Sequence, residues 1–317
     1  AVSCEALCHV LCPRAKACVA PAALTHGRVV EGRIPKSDAR ENPVTAHPSL
    51  SPPRRVEAEI LHRGMRAGRN RALLIGARDE QGDAVDCVAK LPGLMESGSM
   101  HPLPSLLEWL GAAIGTELGI ETPAAYELIV TRAFAESIRD ESLRAGVAKS
   151  LGSVFGSAFV AGTPMVAGDL VDGSLRVAAA ALVAFDVFIH NVDRRAENPN
   201  LFLGRAAPVA FDHGDAFSFV WPLIGAPDPV IDPALAIVER HAFAAVVRRR
   251  TAPDLSEFRA RLASLDDGRL EELAAATPAA WQTGLATGKL QHILDILRRR
   301  RDAVEQWLPQ VEAWMQG

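Results

Sequence analysis

The sequence predicts an α+β fold in two lobes, a small strand-rich one followed by a larger helical one. Three observations carry that expectation. Short apolar runs punctuated by glycine turns fill residues 56–91, helical periodicity dominates beyond Asp232, and a proline-rich stretch precedes both. With 317 residues the chain is long enough for two lobes and a substantial core. Hydrophobic residues make up 49% and charged residues 23%, the composition of a globular chain rather than a fibrous or wholly disordered one.

Residues 1–55 read as a leader and linker. Pro35, Pro43, Pro48, Pro52 and Pro53 stand among charged and small residues that offer little apolar surface to bury. Cys4, Cys8, Cys12 and Cys18 crowd into the start, but without the tight Cys-x-x-Cys pairs usual in zinc and iron–sulfur sites, so a poorly ordered leader is the expectation. The first lobe is expected over 56–162. Strands are read at 56–61, 72–76 and 85–91, separated by turns around Gly64 to Asn70 and Gln81-Gly82-Asp83. A helix follows from Ser105, which heads an S-x-x-E capping box with Glu108, and its apolar stripe is Leu106, Leu110, Ile114 and Leu118. Gly119 should end it in a left-handed cap, Pro123 blocks continuation, and a strand over 124–130 comes next.

The second lobe, 163–317, is expected to be helical. An alanine-rich apolar segment over 177–190 reads as a buried helix. Near the end, Leu290, Ile293, Leu297, Val304, Leu308 and Val311 form the stripe of one long last helix. Arg298 to Arg301 read as a solvated face, and Trp281, Trp307 and Trp314 as packing residues.

Charge and hydropathy exclude some classes. A net charge of −4 does not suit a protein built to grip nucleic-acid phosphates. No apolar run reaches the roughly 20 residues of a membrane-spanning helix, and the longest stops at Asp186. The first residues lack the positive start of a secretory signal, which places the protein in the cytoplasm.

The stretch that carries chemistry is IHNVDRRAENPNLFLGRAAPVAFDHGDAFSF, residues 189–219. Leu201-Phe202-Leu203 and Val209-Ala210-Phe211 flank Gly204, a hairpin pattern that brings Asn198 and Asn200 toward Asp212, with Asp193 just upstream. Carboxylate and amide oxygens in such a group suit magnesium, which needs one or two carboxylates and completes its shell with water and phosphates. Asp-x-x-x-x-Asn followed by an Asp beyond a hairpin is the spacing of a phosphoryl-transfer loop. On that reading Asp193 accepts the proton of a substrate hydroxyl, while Asn198 and Asp212 hold the metal. Either motif alone would be an ordinary turn of local hydrogen bonds. Their order around one hairpin favours catalysis.

This stretch resembles the HipA-like kinases, relatives of the protein-kinase and phosphoinositide-kinase superfamily. Asn191, Asp193, Arg194 and Asn198 match that family's N-x-D-R and following Asn, and Asp212-His213-Gly214 resembles its metal-binding motif. The resemblance spans roughly residues 60–230. It implies a protein-kinase-like fold, ATP and magnesium ions as cofactors, and transfer of the γ-phosphoryl group to a hydroxyl, by analogy a protein serine or threonine. Lys90, in Val88-Ala89-Lys90, matches the phosphate-binding lysine, and Asn191, Asp193 and Lys90 form the expected catalytic set. Glu108 stands where an acid could pair with Lys90 at the nucleotide, and equally in the capping box. Neither Gly64 to Asn70 nor Gly93 to Ser99 is a G-x-G-x-x-G loop, so the phosphate loop stays unassigned, and the resemblance alone places Gly156 to Gly162 at the adenine. His190 and His213 lack metal-ligand spacing. A magnesium phosphoesterase would leave Lys90 without a role, and a nucleotide-binding pseudokinase is the non-catalytic alternative.

Overall fold

The computed structural model describes residues 50–65, 71–95, 103–162, 164–165, 175–204, 207–221 and 227–317, within one compact unit, 48–317. The expectations for Cys4, Cys8, Cys12 and Cys18, and for much of the 64–70 and 93–99 turns, fall outside the described residues. A strand-rich N-terminal region leads into a helical C-terminal one.

Strands β1 (Arg54–Gly64), β2 (Ala72–Asp79) and β3 (Ala84–Lys90) form an antiparallel meander. Alternation decides which side faces inward: Val56 and Ala58, then Leu73, Ile75 and Ala77, then Cys87 and Ala89 are all buried. β4 (Ala125–Val130) and β5 (Gly152–Ala158) close a barrel in the order β1-β2-β3-β5-β4. β5 lies antiparallel between β3 and β4, and β4 pairs parallel with β1. The fifth strand escapes the sequence reading because it is written in small residues, with Val154 its one fully buried apolar side chain. Gly156 sits inside β5, opposite Ala89 and Tyr126. Between β4 and β5, α2 (Arg132–Ser137) and α3 (Glu141–Ala148) begin at side-chain caps, where Thr131 and Asp140 accept the N–H groups of Phe134 and Leu143.

The helix expected from Ser105 is α1, Leu103–Glu117. The capping box does not form. Ser105 lies inside the helix, where its hydroxyl accepts the N–H of Phe155 at 3.1 Å, and Glu108 is engaged elsewhere. The C-terminus follows expectation: Gly119 has φ +77°, and the N–H of Ile120 reaches back to the carbonyl of Gly115 at 2.8 Å. Leu106, Leu110 and Ile114 pack into the helical core rather than the barrel core.

That helical core is centred on α4 (Arg176–Phe188), which ends two residues earlier than predicted, before His190 takes φ +51°. The hairpin forms, with β6 (Leu201–Leu203) as read and β7 (Pro208–Ala210) one residue earlier than expected. Among the described residues that follow, the α-helices are α5 (Leu235–Arg240), α6 (Ala244–Val247), α7 (Ser256–Ser264), α8 (Asp267–Ala276), α9 (Lys289–Asp302) and α10 (Val304–Gln316). The single long last helix is therefore two, broken at Ala303, although the apolar stripe continues across the break.

The basic run is not simply a solvated face. Arg298 and Arg301 pair with Asp267, and Arg300 is wholly buried. Its guanidinium donates to the carbonyls of Pro229, Asp232 and Val187 and lies 5.1 Å from the ring centroid of Trp307. Trp281 and Trp307 are fully buried, and Trp314 packs against the same core. No helix among the described residues is long and apolar enough to cross a membrane.

Candidate active site

The site is organised by a charge inside the apolar helix α4. Asp186 is fully buried, and its carboxylate accepts three hydrogen bonds: Oδ1 accepts from Asn191 Nδ2 at 2.9 Å, and Oδ2 from Arg194 Nε at 2.6 Å and His241 Nε2 at 2.8 Å. His241 Nδ1 accepts the N–H of Phe243 at 3.0 Å, so the proton of a neutral imidazole resides on Nε2. Burial pushes the carboxyl of Asp186 up, but the Arg194 guanidinium and His241 outweigh it and hold it below the usual range.

Arg194 extends this hub. Its Nη1 donates to the carbonyls of Asn200 at 2.7 Å and Phe211 at 3.2 Å, so one buried guanidinium ties the end of α4 to both strands of the hairpin. Asn191 Oδ1 accepts the N–H of Asp193 at 3.2 Å. Asn191 thus faces inward, and it touches Asp193 through the backbone.

Asp193 is largely buried, with its side chain 12% exposed, between the more exposed Val192 and Arg195. Arg195 Nη2 donates to Oδ1 at 3.0 Å, and Asn198 Nδ2 and Asn200 Nδ2 donate to Oδ2 at 2.6 and 3.4 Å. Asp193 and Asn198 are therefore in direct contact. Spending its amide nitrogen on Asp193 leaves the carbonyl oxygen of Asn198 available as an acceptor.

Asp212 leaves the hairpin with φ +60°, a conformation Asp tolerates better than most residues. Its Oδ1 pairs with Lys90 Nζ at the end of β3, and Lys90 also reaches Glu108 Oε1 at 3.2 Å. The other Glu108 oxygen accepts the N–H of His213 at 2.7 Å. The acid on α1, the lysine on β3 and the loop after β7 are thus one unit. Burial pushes Glu108 up to about 7, with Lys90 offsetting part of the rise. Burial disfavours the charged form of Lys90, but the Glu108 and Asp212 carboxylates dominate and raise it; burial likewise works against ionised Asp212, and Lys90 reverses the balance and lowers it.

His213 packs directly on Gly111, one turn beyond Glu108 on the same face of α1. Burial, with Arg194 adding, pushes its imidazole down to about 3, so it packs as a neutral ring edge-on to Phe185. A methyl group at position 111 would run into the His213 side chain. Gly111→Ala is accordingly expected to cost about 1–3 kcal/mol as an overpacked contact, measured as a lower midpoint of thermal or urea unfolding. An unchanged midpoint would show that the loop gives way freely.

Asn198, Asp193 and Asn191 form one connected group, and Lys90, Glu108 and Asp212 form the other; Arg194 links the two halves of the loop pair. Sequence reasoning missed Asp186, Arg195, His241 and Gly111. Only Asp186 left a signal, as the lone acid that stops the longest apolar run, since a buried charge requires partners. No cluster of three or more His, Cys, Asp or Glu side chains suited to a metal occurs among the described residues. Magnesium does not need one, and carboxylate and amide oxygens such as those of Asp212 and Asn198 are of the chemical kind it takes.

A family model described as HipA-like kinase matches residues 96–303. No curated protein matches the chain.

Proposed function

The chain belongs to the HipA-like kinase family, and from that premise we propose that it transfers the γ-phosphoryl group of ATP to a hydroxyl, that of a protein serine or threonine. On this reading residues 56–162 and 163–317 act as the two lobes of a protein-kinase-like fold. The observation that carries it is Lys90, which is held between Glu108 and Asp212 while Asp193, its side chain 12% exposed, is presented by a loop fastened to the same hairpin.

Each residue then has a role set by its chemistry. Lys90 presents a fixed positive charge to the nucleotide phosphates, and Glu108 fixes its direction. Asp193 orients the acceptor hydroxyl and takes its proton as the oxygen attacks the γ-phosphorus. Asn191 holds the backbone of Asp193. Magnesium, when bound, neutralises phosphate charge, and Asn198 and Asp212 are the residues that would hold it. Asp212 must then share or exchange its contact with Lys90, so binding of nucleotide and metal should depend on each other.

ATP with magnesium should raise the melting temperature of the full chain, because a ligand at about 100 times its Kd adds about 2.7 kcal/mol to the folded state. A chelator should abolish the shift. Absence of any shift at millimolar ATP and magnesium would remove the nucleotide site, and failure of labelled ATP to phosphorylate any acceptor would remove the kinase reading.

A further inference from the structure

Asp193 has few directions left from which an acceptor can approach. A carboxylate offers about four lone-pair sites. Oδ2 already accepts from Asn198 and Asn200, and Oδ1 from Arg195. The remaining site lies on Oδ1, the oxygen that Arg195 touches.

Arg195 differs from its neighbour. Arg194 is fully buried on Asp186, whereas the side chain of Arg195 is 37% exposed. Its backbone is fixed, since its N–H donates to the carbonyls of Asp193 at 2.9 Å and Asn198 at 3.2 Å, and it bridges to His241. Among the described residues, its Nε is buried without a hydrogen-bond partner, and of the N–H groups on its terminal nitrogens only the one on Asp193 is engaged. A guanidinium carries five N–H groups, so a cation with unused donors on a fixed backbone stands beside the open lone pair of Asp193.

We propose that the acceptor oxygen docks on Oδ1 of Asp193 and that Arg195 is a catalytic residue, its guanidinium contacting the phosphoryl group in transit. The inference rests on the phosphotransferase reading above. A hydroxyl bonded to Oδ1 sits about 2.7 Å from it, and the phosphorus of a reactive pose lies about 3–3.5 Å beyond. Rotation of the Arg195 side chain is enough to carry its free donors onto the phosphoryl oxygens. The acceptor O–H gives its proton to Oδ1, its oxygen bonds to the γ-phosphorus, and the bond from that phosphorus to the β–γ bridging oxygen breaks, its electron pair leaving with ADP. The guanidinium stays charged throughout and meets the phosphoryl oxygens in the planar geometry that suits it.

The test uses the full chain with Arg195→Gln and Arg195→Lys, and two acceptors that require no knowledge of the natural one: water, read as ATP hydrolysis, and casein, read as radiolabel from γ-labelled ATP. Arg195→Gln should lower kcat about 10²-fold with the KM for ATP within about twofold and the melting temperature unchanged. Arg195→Lys should recover about tenfold of that loss, because it restores charge without the fork. The drop should be the same across the pH profile. A kcat for Arg195→Gln within threefold of wild type overturns the proposal, as does a loss explained by a displaced acidic limb of the profile, which would mean that Arg195 acts only through Asp193. No turnover by the wild type on water or casein removes the phosphotransferase reading itself, whereas wild-type turnover matched by Arg195→Gln removes only the role of Arg195.

Discussion

Asp193→Asn should abolish most phosphoryl transfer, by about 10²–10⁴-fold, while leaving ATP binding close to wild type. The substitution keeps size and planarity but removes the basic oxygen that takes the acceptor proton. Its amide also cannot satisfy its surroundings: three donors, from Arg195, Asn198 and Asn200, converge on the native carboxylate, so one face of an asparagine would put N–H against N–H. Local rearrangement of the loop is therefore expected, with a modest loss of stability. Calorimetric ATP binding and labelled transfer, measured on the same preparation, separate the two effects. Full transfer by this variant would reduce the Asp-x-x-x-x-Asn spacing to a turn.

The second large effect is on stability. Asp186→Ala should destabilise the fold by about 3–5 kcal/mol, because it leaves the Arg194 guanidinium buried with no counter-charge and strips His241 Nε2 of its acceptor. Both partners have side chains that are 0% exposed, so water cannot replace the carboxylate without opening the core. Urea unfolding of wild type and variant measures the difference. A loss below about 1 kcal/mol would mean that Arg194 finds another partner and that the hub is not what holds the hairpin to α4.

The parts legible in the sequence were those fixed by local spacing. The β6–β7 hairpin depends on a few adjacent residues, as does the left-handed Gly119; the hairpin pattern drew Asn198 and Asn200 toward Asp212, but both amides donate to Asp193 instead. What was not legible depends on partners far along the chain. Glu108 carries every local sign of a capping box, and only the family resemblance offered its pairing with Lys90; nothing local announced its second partner, the N–H of His213, 105 residues away. His241 lies 55 residues from Asp186, and nothing near it announces a buried acid. Arg300 looks like one member of a solvated run because its neighbours are charged, but its face of α9 is turned onto α4. β5 was missed for a different reason: its residues are too small to show the alternation that marks a strand.

The order of strands in the barrel dictates the order in which the protein can assemble. β1, β2 and β3 can zip together as successive hairpins, but β3 does not pair with the next strand in the chain. Both remaining closures are long-range: β1 at 54–57 must meet 126–129, and β3 at 87–89 must wait for 156–158. Closing such loops costs entropy before any contact repays it, which makes these the slow steps of folding. Until the chain has been synthesised past Ala158, the partial sheet has two open edges, and one of them is the strand that ends in Lys90. Nascent chains that stall between β4 and β5 are thus the form most exposed to edge-to-edge aggregation, and a truncation in that interval leaves a sheet rather than a barrel.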